Sequence, residues 1–168
     1  LQKKHEETIT ALKPAIPEIK SPELLAEAWY RIGRSQAALG RYEEAAKSLE
    51  ASIKAAPKWK LADDSHLVLD YAYQQTGKLD KAKENAKSGI DGLPNRRLLD
   101  RAHYRLGECC RLGGDLKNAA DEYGLILEKW PASSLTPQAL YGLGWAHIGL
   151  NDYEAAEKSF TTLIDKDP

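Results

Sequence analysis

Four histidines, His5, His66, His103 and His147, and two cysteines, Cys109 and Cys110, are the side chains of this 168-residue chain best suited to metal, redox or nucleophilic chemistry. Each use needs company. A metal site needs several donors that converge, a redox pair needs thiols that face each other, and a nucleophile needs a base beside it. Neighbouring residues on a regular helix point about 100° apart, so Cys109 and Cys110 read as buried, inert thiols. The chain contains no G-x4-G-K-[ST], H-E-x-x-H, G-x-S-x-G or C-x-x-C pattern. Gly142-Leu143-Gly144 begins like a dinucleotide fingerprint but lies within a helical pattern rather than after a strand. The reading is a non-enzyme with no catalytic residue, cofactor or metal.

Composition points toward recognition. Apolar residues make up 42% and charged residues 29%, which is globular and not disordered. With 24 basic against 25 acidic residues the net charge is −1, which argues against a nucleic-acid partner held by bulk attraction to phosphate. No apolar run reaches the length of a membrane span. The first residues, Leu1-Gln2-Lys3-Lys4-His5, lead into no apolar stretch, so no signal peptide is visible. The absence of Met, even at position 1, is what a piece of a longer protein would show, and the compartment stays open between cytoplasm and bacterial periplasm.

The elements that position these side chains come from an internal repeat. Segments beginning at Ala26, Asp63, Asp100 and Pro137 align without gaps at a 37-residue period. Numbering columns from those starts, column 8 reads Gly33, Asp70, Gly107, Gly144, and column 15 reads Gly40, Gly77, Gly114, Asn151. Column 20 is alanine throughout (Ala45, Ala82, Ala119, Ala156), and column 32 is proline throughout (Pro57, Pro94, Pro131, Pro168). Gly or Asn at column 15 suits the left-handed residue that ends a helix. Columns 17, 20, 24 and 28 form an apolar stripe at helical spacing, and proline closes the unit. Each repeat is therefore helix, tight turn, helix, and such pairs must stack to bury their apolar faces. The expected pairs are 22–39 with 42–56, 60–76 with 79–92, 97–113 with 116–130, and 136–150 with 153–166. Residues 1–25 are either a capping segment or the remnant helix of a preceding repeat, broken near Pro14. Column 24 holds Leu49, Ala86, Tyr123 and Phe160, so Ala86, together with Gly89, marks the second repeat as the weakest.

Trp29, Ile32, Gly33, Gly40, Tyr42, Ala45 and Pro57 match the W-x2-L-G…G-x-Y…A…P pattern, and Leu143, Gly144, Asn151, Tyr153, Ala156, Phe160 and Pro168 match it again. In this the chain resembles the tetratricopeptide repeat, over residues 26–168, with a period three residues longer than the family's usual one. The resemblance implies an all-α, right-handed solenoid of stacked antiparallel helix pairs. The extra residues follow the proline, so each first helix is expected to start early. The stretch Trp130–Tyr141 also looks like the inter-repeat joint of bacterial cell-envelope members, with Thr136 capping the next helix and Pro137 at its first position.

In this family the first helices line a concave groove through columns 2, 5, 9 and 12. The positions that match here give Tyr30, Arg34, Leu67, Tyr71, Gln74, Arg101, Tyr104, Glu108, Arg111, Tyr141 and Trp145 as the candidate partner-binding residues. Aromatics and arginines are enriched where interfaces concentrate their energy, although any of these rings equally suits packing between repeats. The set of Lys, Asn and Arg with which chaperone-binding members grip a C-terminal carboxylate is incomplete: Tyr30, Arg34 and Val68 stand where Lys, Asn and Asn are wanted. His66 and His103 share column 4, on first helices of neighbouring repeats, and packed helices lie about 8–10 Å apart, too far for shared chelation. The functional expectation is a non-catalytic scaffold binding a peptide or protein. The alternatives are a substrate-recruiting repeat domain of a larger enzyme or envelope-assembly factor, and an RNA-binding helical repeat, against which the period and charge count. Net charge falls from +3 over residues 1–62 to −3 over 137–168, a gradient that would favour head-to-tail self-association.

Overall fold

The structure is a computed structural model describing residues 2–92 and 98–166, with the side chain of Lys166 left aside. Among these residues every regular element is helical. The helices are α1 (Gln2–Leu12), α2 (Pro22–Ala38), α3 (Tyr42–Ala55), α4 (Ala62–Gln75), α5 (Leu79–Gly92), α6 (Leu99–Leu112), α7 (Leu116–Lys129), α8 (Thr136–Gly149) and α9 (Tyr153–Lys166). They fall into two compact units, residues 1–96 and 97–168. The pairs α2–α3 and α4–α5 belong to the first, and α6–α7 and α8–α9 to the second.

Each pair turns the same way because column 15 is built for it. Gly40, Gly77, Gly114 and Asn151 have φ of 75°, 70°, 78° and 62°. The next residue in each case donates its N–H back five residues, at 2.9 Å: Arg41 to Gln36, Lys78 to Tyr73, Asp115 to Cys110 and Asp152 to His147. This is the Schellman closure, which satisfies helix-end carbonyls. Asp115 and Asp152 then cap α7 and α9, accepting from the N–H of Asn118 at 3.4 Å and of Ala155 at 3.1 Å.

Within pairs, glycine at column 8 makes room for the large residue at column 24. A Cβ on Gly33 would lie 2.7 Å from Leu49 Cγ, on Gly107 2.8 Å from Tyr123 Cε1, and on Gly144 2.5 Å from Phe160 Cζ. The second repeat reverses the sizes, with Asp70 and Ala86, both buried. Asn85 serves Asp70 there: its Nδ2 donates to Asp70 Oδ1 at 2.6 Å and to the His66 carbonyl at 3.1 Å, and His66 Nδ1 lies 2.7 Å from Asn85 Oδ1. The small Ala86 is thus matched by a larger facing residue.

The three additional residues per repeat do not lengthen the first helices as expected. Only α2 is long, at 17 residues, and α3 to α9 have 14 each. Instead the extra residues form paired tight turns. The Trp59 N–H donates to Ala56 at 3.3 Å and Ala62 to Trp59 at 3.0 Å, and at equivalent positions Ser133 donates to Trp130 at 2.9 Å and Thr136 to Ser133 at 3.1 Å. The corresponding joint around Pro94, and the final Pro168, lie outside the described residues. Thr136 does not cap α8. It is the first helical residue, and its hydroxyl donates to the Pro131 carbonyl at 3.2 Å, which ties the joint together and moves Pro137 one place in.

At the N-terminus α1 ends at Leu12 and passes into a 3-10 stretch, Lys13–Glu18, that accommodates Pro14 and Pro17. α1 packs on α2 through buried Ile9, and Glu6 pairs with Arg41.

Candidate functional site

Five of the eleven expected groove residues come together in unit 2. Tyr104, Glu108 and Arg111 on α6 face Tyr141 and Trp145 on α8 around an open cavity of about 590 Å³, which Pro137, Gln138, Gly142 and Leu163 complete. The columns involved are 5, 9 and 12 of one first helix and 2, 5 and 9 of the next. Tyr141 is 55% exposed and Trp145 48%, large values for aromatic rings in a folded chain. Their rings and that of Phe160 form a triangle of edge-to-face contacts, with each pair of centroids 6.2 Å apart.

The polar wall is held from behind. Arg111 donates Nε and Nη2 to the two oxygens of Glu108, each at 3.1 Å. The hydroxyl of Tyr123 on α7 donates to Glu108 as well. Tyr123 is fully buried and reaches this point through a slot between two glycines: beyond Gly107, a Cβ on Gly142 would lie 2.6 Å from its Cζ. Burial pushes the Glu108 carboxyl up, but hydrogen bonds from Arg111 and Tyr123 and the charges of Arg111 and Arg105 together bring it below its ordinary range. The hydrogen bond to Glu108 holds the Arg111 guanidinium ever more firmly protonated. Burial, then the hydrogen bond to Glu108, raises the Tyr123 phenol far above its ordinary value. Burial and the nearby Glu108 charge raise the Tyr104 phenol. At neutral pH the wall therefore consists of a fixed carboxylate, a fixed guanidinium and two neutral phenols.

The other expected residues are placed differently. Tyr30 is a correction: it is only 7% exposed and meets Trp59 edge-on, so it belongs to the core of unit 1. Trp59 itself is 5% exposed, and its indole N–H is buried with no acceptor among the described residues. Tyr71 is half-buried against Tyr42, ring centroids 5.7 Å apart at 88°. Leu67 and Gln74 are half-buried, and Arg34 is exposed. A cavity of about 440 Å³ in unit 1, lined by Pro22, Glu23, Ala55, Ala56, Pro57, Lys58 and Trp59, includes none of them. Arg101 is exposed on α6 outside the cavity of unit 2. Sequence reasoning missed Leu163 and Tyr123, which approach from second helices. The signal available for Tyr123 was the pairing of glycine at column 8 with a large residue at column 24.

Two of the histidines tie the helices of their pairs together. His66 lies over Asn85, and His103 Nδ1 lies 2.6 Å from Glu122 at the same 19-residue separation, with its ring tilted over Trp130 at 5.4 Å. Cys109 and Cys110 are buried free thiols. Among the described residues no group of three or more His, Cys, Asp or Glu is placed to hold a metal ion, and no helix is long and apolar enough to cross a membrane.

Comparison with known proteins agrees with this architecture. Tetratricopeptide-repeat family models match residues 26–59, 71–134 and 138–168. No curated protein matches the chain. Among solved structures, a crystal structure of MamA is similar with a TM-score of 0.81 at 18% identity, covering 95% of this chain and 86% of that one. BtubC (BKLC) from P. vanneervenii gives 0.83 at 15%, covering 96% and 72%. YrrB, described as a TPR protein with an unusual peptide-binding site, gives 0.74 at 19%, covering 96% and 81%. At these identities the likeness is one of fold, an all-α helical-repeat solenoid. Since the three matched segments together span most of the sequence and carry the same repeat, the chain belongs to the tetratricopeptide-repeat family.

Proposed function

We propose that this chain is a non-catalytic interaction scaffold that holds a peptide or protein partner against its first helices, with the groove of unit 2 as the main contact. The observation that carries this reading is the pair Tyr141 and Trp145, half exposed on a helix without a charged residue, across a cavity from Tyr104 and the fixed Glu108–Arg111 pair. Rigid rings give large contact area at small entropic cost, and a positioned arginine adds direction. That YrrB, a structural neighbour, is described as having a peptide-binding site is consistent with such a use.

The test begins with a pull-down from a cell extract and identification of what is retained. Tyr104→Ala and Trp145→Ala are each expected to weaken that partner by more than about 1 kcal/mol. Lys87→Ala, exposed on α5, is the control and is expected to leave binding unchanged. Normal binding by both groove variants would send the search for the partner surface elsewhere.

A further inference from the structure

We propose that the groove of unit 2 takes an acidic peptide, seating one large apolar side chain against Tyr141 and Trp145 and one carboxylate on Arg111. This rests on the reading that the groove is the binding face, and names the chemistry of what binds there.

Charge is segregated within unit 2. α6 carries three arginines against two acids, and α8 carries no Lys, Arg, Asp or Glu. Behind them, α7 and α9 carry six acids against four lysines. The groove helices thus hold a positive excess of one within a unit that is acidic as a whole, so any attraction for a negative partner is local to that face.

The two acids of α6 keep their charges but are engaged within the unit, so the positive excess of that helix comes from Arg101 and Arg105. Asp100 accepts from the Ser133 hydroxyl, in the joint before α8. Glu108 accepts two hydrogen bonds from Arg111 and one from Tyr123, which leaves it little capacity for a cation brought by a partner. Arg111 is in the opposite condition. A guanidinium has five N–H groups; two of these go to Glu108, and the Tyr123 hydroxyl also interacts with it, which leaves donors over. Its side chain is 34% exposed and lines the cavity. Because Glu108 already fixes the fork, a ligand carboxylate binds it with little further loss of side-chain freedom. Tyr123, buried behind Glu108, acts as a positioning residue for that fork.

The apolar half of the site is equally prepared. Phe160 braces Tyr141 and Trp145 from below, so the exposed rings are held edge-to-face and do not collapse onto each other. The arrangement differs from the tail clamp of chaperone-binding family members, since Tyr30, one of the residues in the clamp's place, is core. The carboxylate is met here by an arginine at column 12.

A random peptide library panned on the intact chain tests this. Selected peptides are expected to combine Asp or Glu with Trp, Phe or Leu. In the strongest of them, replacing the acid by its amide is expected to lower affinity about ten-fold or more, the usual weight of a charged hydrogen bond. Arg111→Gln should give the same loss for the acidic peptide and no further loss for its amide. Tyr123→Phe should give a smaller loss, again confined to the acidic peptide. The ligand-side exchange reads the chemistry even if a protein variant folds poorly. Basic or uncharged peptides that lose binding on Trp145→Ala would overturn the acidic assignment while leaving the groove intact. An empty selection, or binders indifferent to both Trp145→Ala and Arg111→Gln, would overturn the groove reading with it.

Discussion

The indole of Trp59 meets the ring of Tyr30 edge-on, with 5.7 Å between centroids and 67° between planes. The joint that the longer period adds has thus become part of the core of unit 1. Trp59→Ala is expected to destabilise the chain by about 3–5 kcal/mol, the range for deleting a buried aromatic. Trp59→Phe should cost much less, because it keeps a ring and removes an N–H buried without an acceptor. Urea denaturation followed by far-ultraviolet circular dichroism measures both, and equal losses would show that ring packing is not the source.

The slot around Tyr123 predicts a coupled pair. Gly142→Ala places a methyl where Tyr123 Cζ lies 2.6 Å away, and overpacking of this kind costs about 1–3 kcal/mol. In Tyr123→Leu the ring is gone, so adding Gly142→Ala should cost far less there. A double-mutant cycle on denaturation midpoints reads the difference, and simple additivity would deny the contact.

Gly89 invites the opposite change. It is buried in the last turn of α5, and an added Cβ would meet His66 Cβ at 3.5 Å, an ordinary contact. Gly89→Ala should therefore raise stability by about 0.5–1 kcal/mol through helix propensity and a less free unfolded chain. Native-state hydrogen exchange is expected to show α5 opening before α3 and α7, and the substitution should narrow that gap.

His66 makes unit 1 sensitive to mild acid. Burial lowers its pKa below the ordinary histidine value, against the raising effects of its hydrogen bond to Asn85 and the Asp63 charge. The unfolded chain, with an ordinary histidine near about 6.5, takes up the proton first as pH falls. The stability linked to His66 is therefore complete above about pH 6.5 and is lost as pH drops from there through the folded value. Denaturation midpoints from about pH 7.5 to about pH 5.5 should fall more steeply for the native sequence than for His66→Gln. Parallel slopes would remove the histidine from the account.

Helix pairs, their turns and the closing of column 8 on column 24 could be read from the residues, because each depends on contacts inside one repeat. The groove was legible only where nothing else competes for the same ring. Tyr30 and Tyr104 occupy the same column, yet Tyr30 is covered by Trp59 while the joint residue equivalent to Trp59 in the repeat of Tyr104 is Ser133, too small to cover a phenol. The fate of each tyrosine was decided by a residue 29 positions later, in a joint whose conformation no periodicity encodes. The same holds for Thr136, whose hydroxyl turned back to Pro131 and left the helix N-terminus uncapped by a side chain.

The ring of Tyr123, held by Gly107 in its own repeat and by Gly142 in the one that follows, makes these repeats individuals rather than interchangeable modules. Excising residues 100–136 would keep the 37-residue frame, yet it would bring Ala86 to the place Tyr123 fills beside Gly142 and leave a hole about the size of a phenol. Shortening or shuffling the array at repeat boundaries, which repeat proteins otherwise tolerate well, is closed to this chain unless the glycine and the tyrosine travel together.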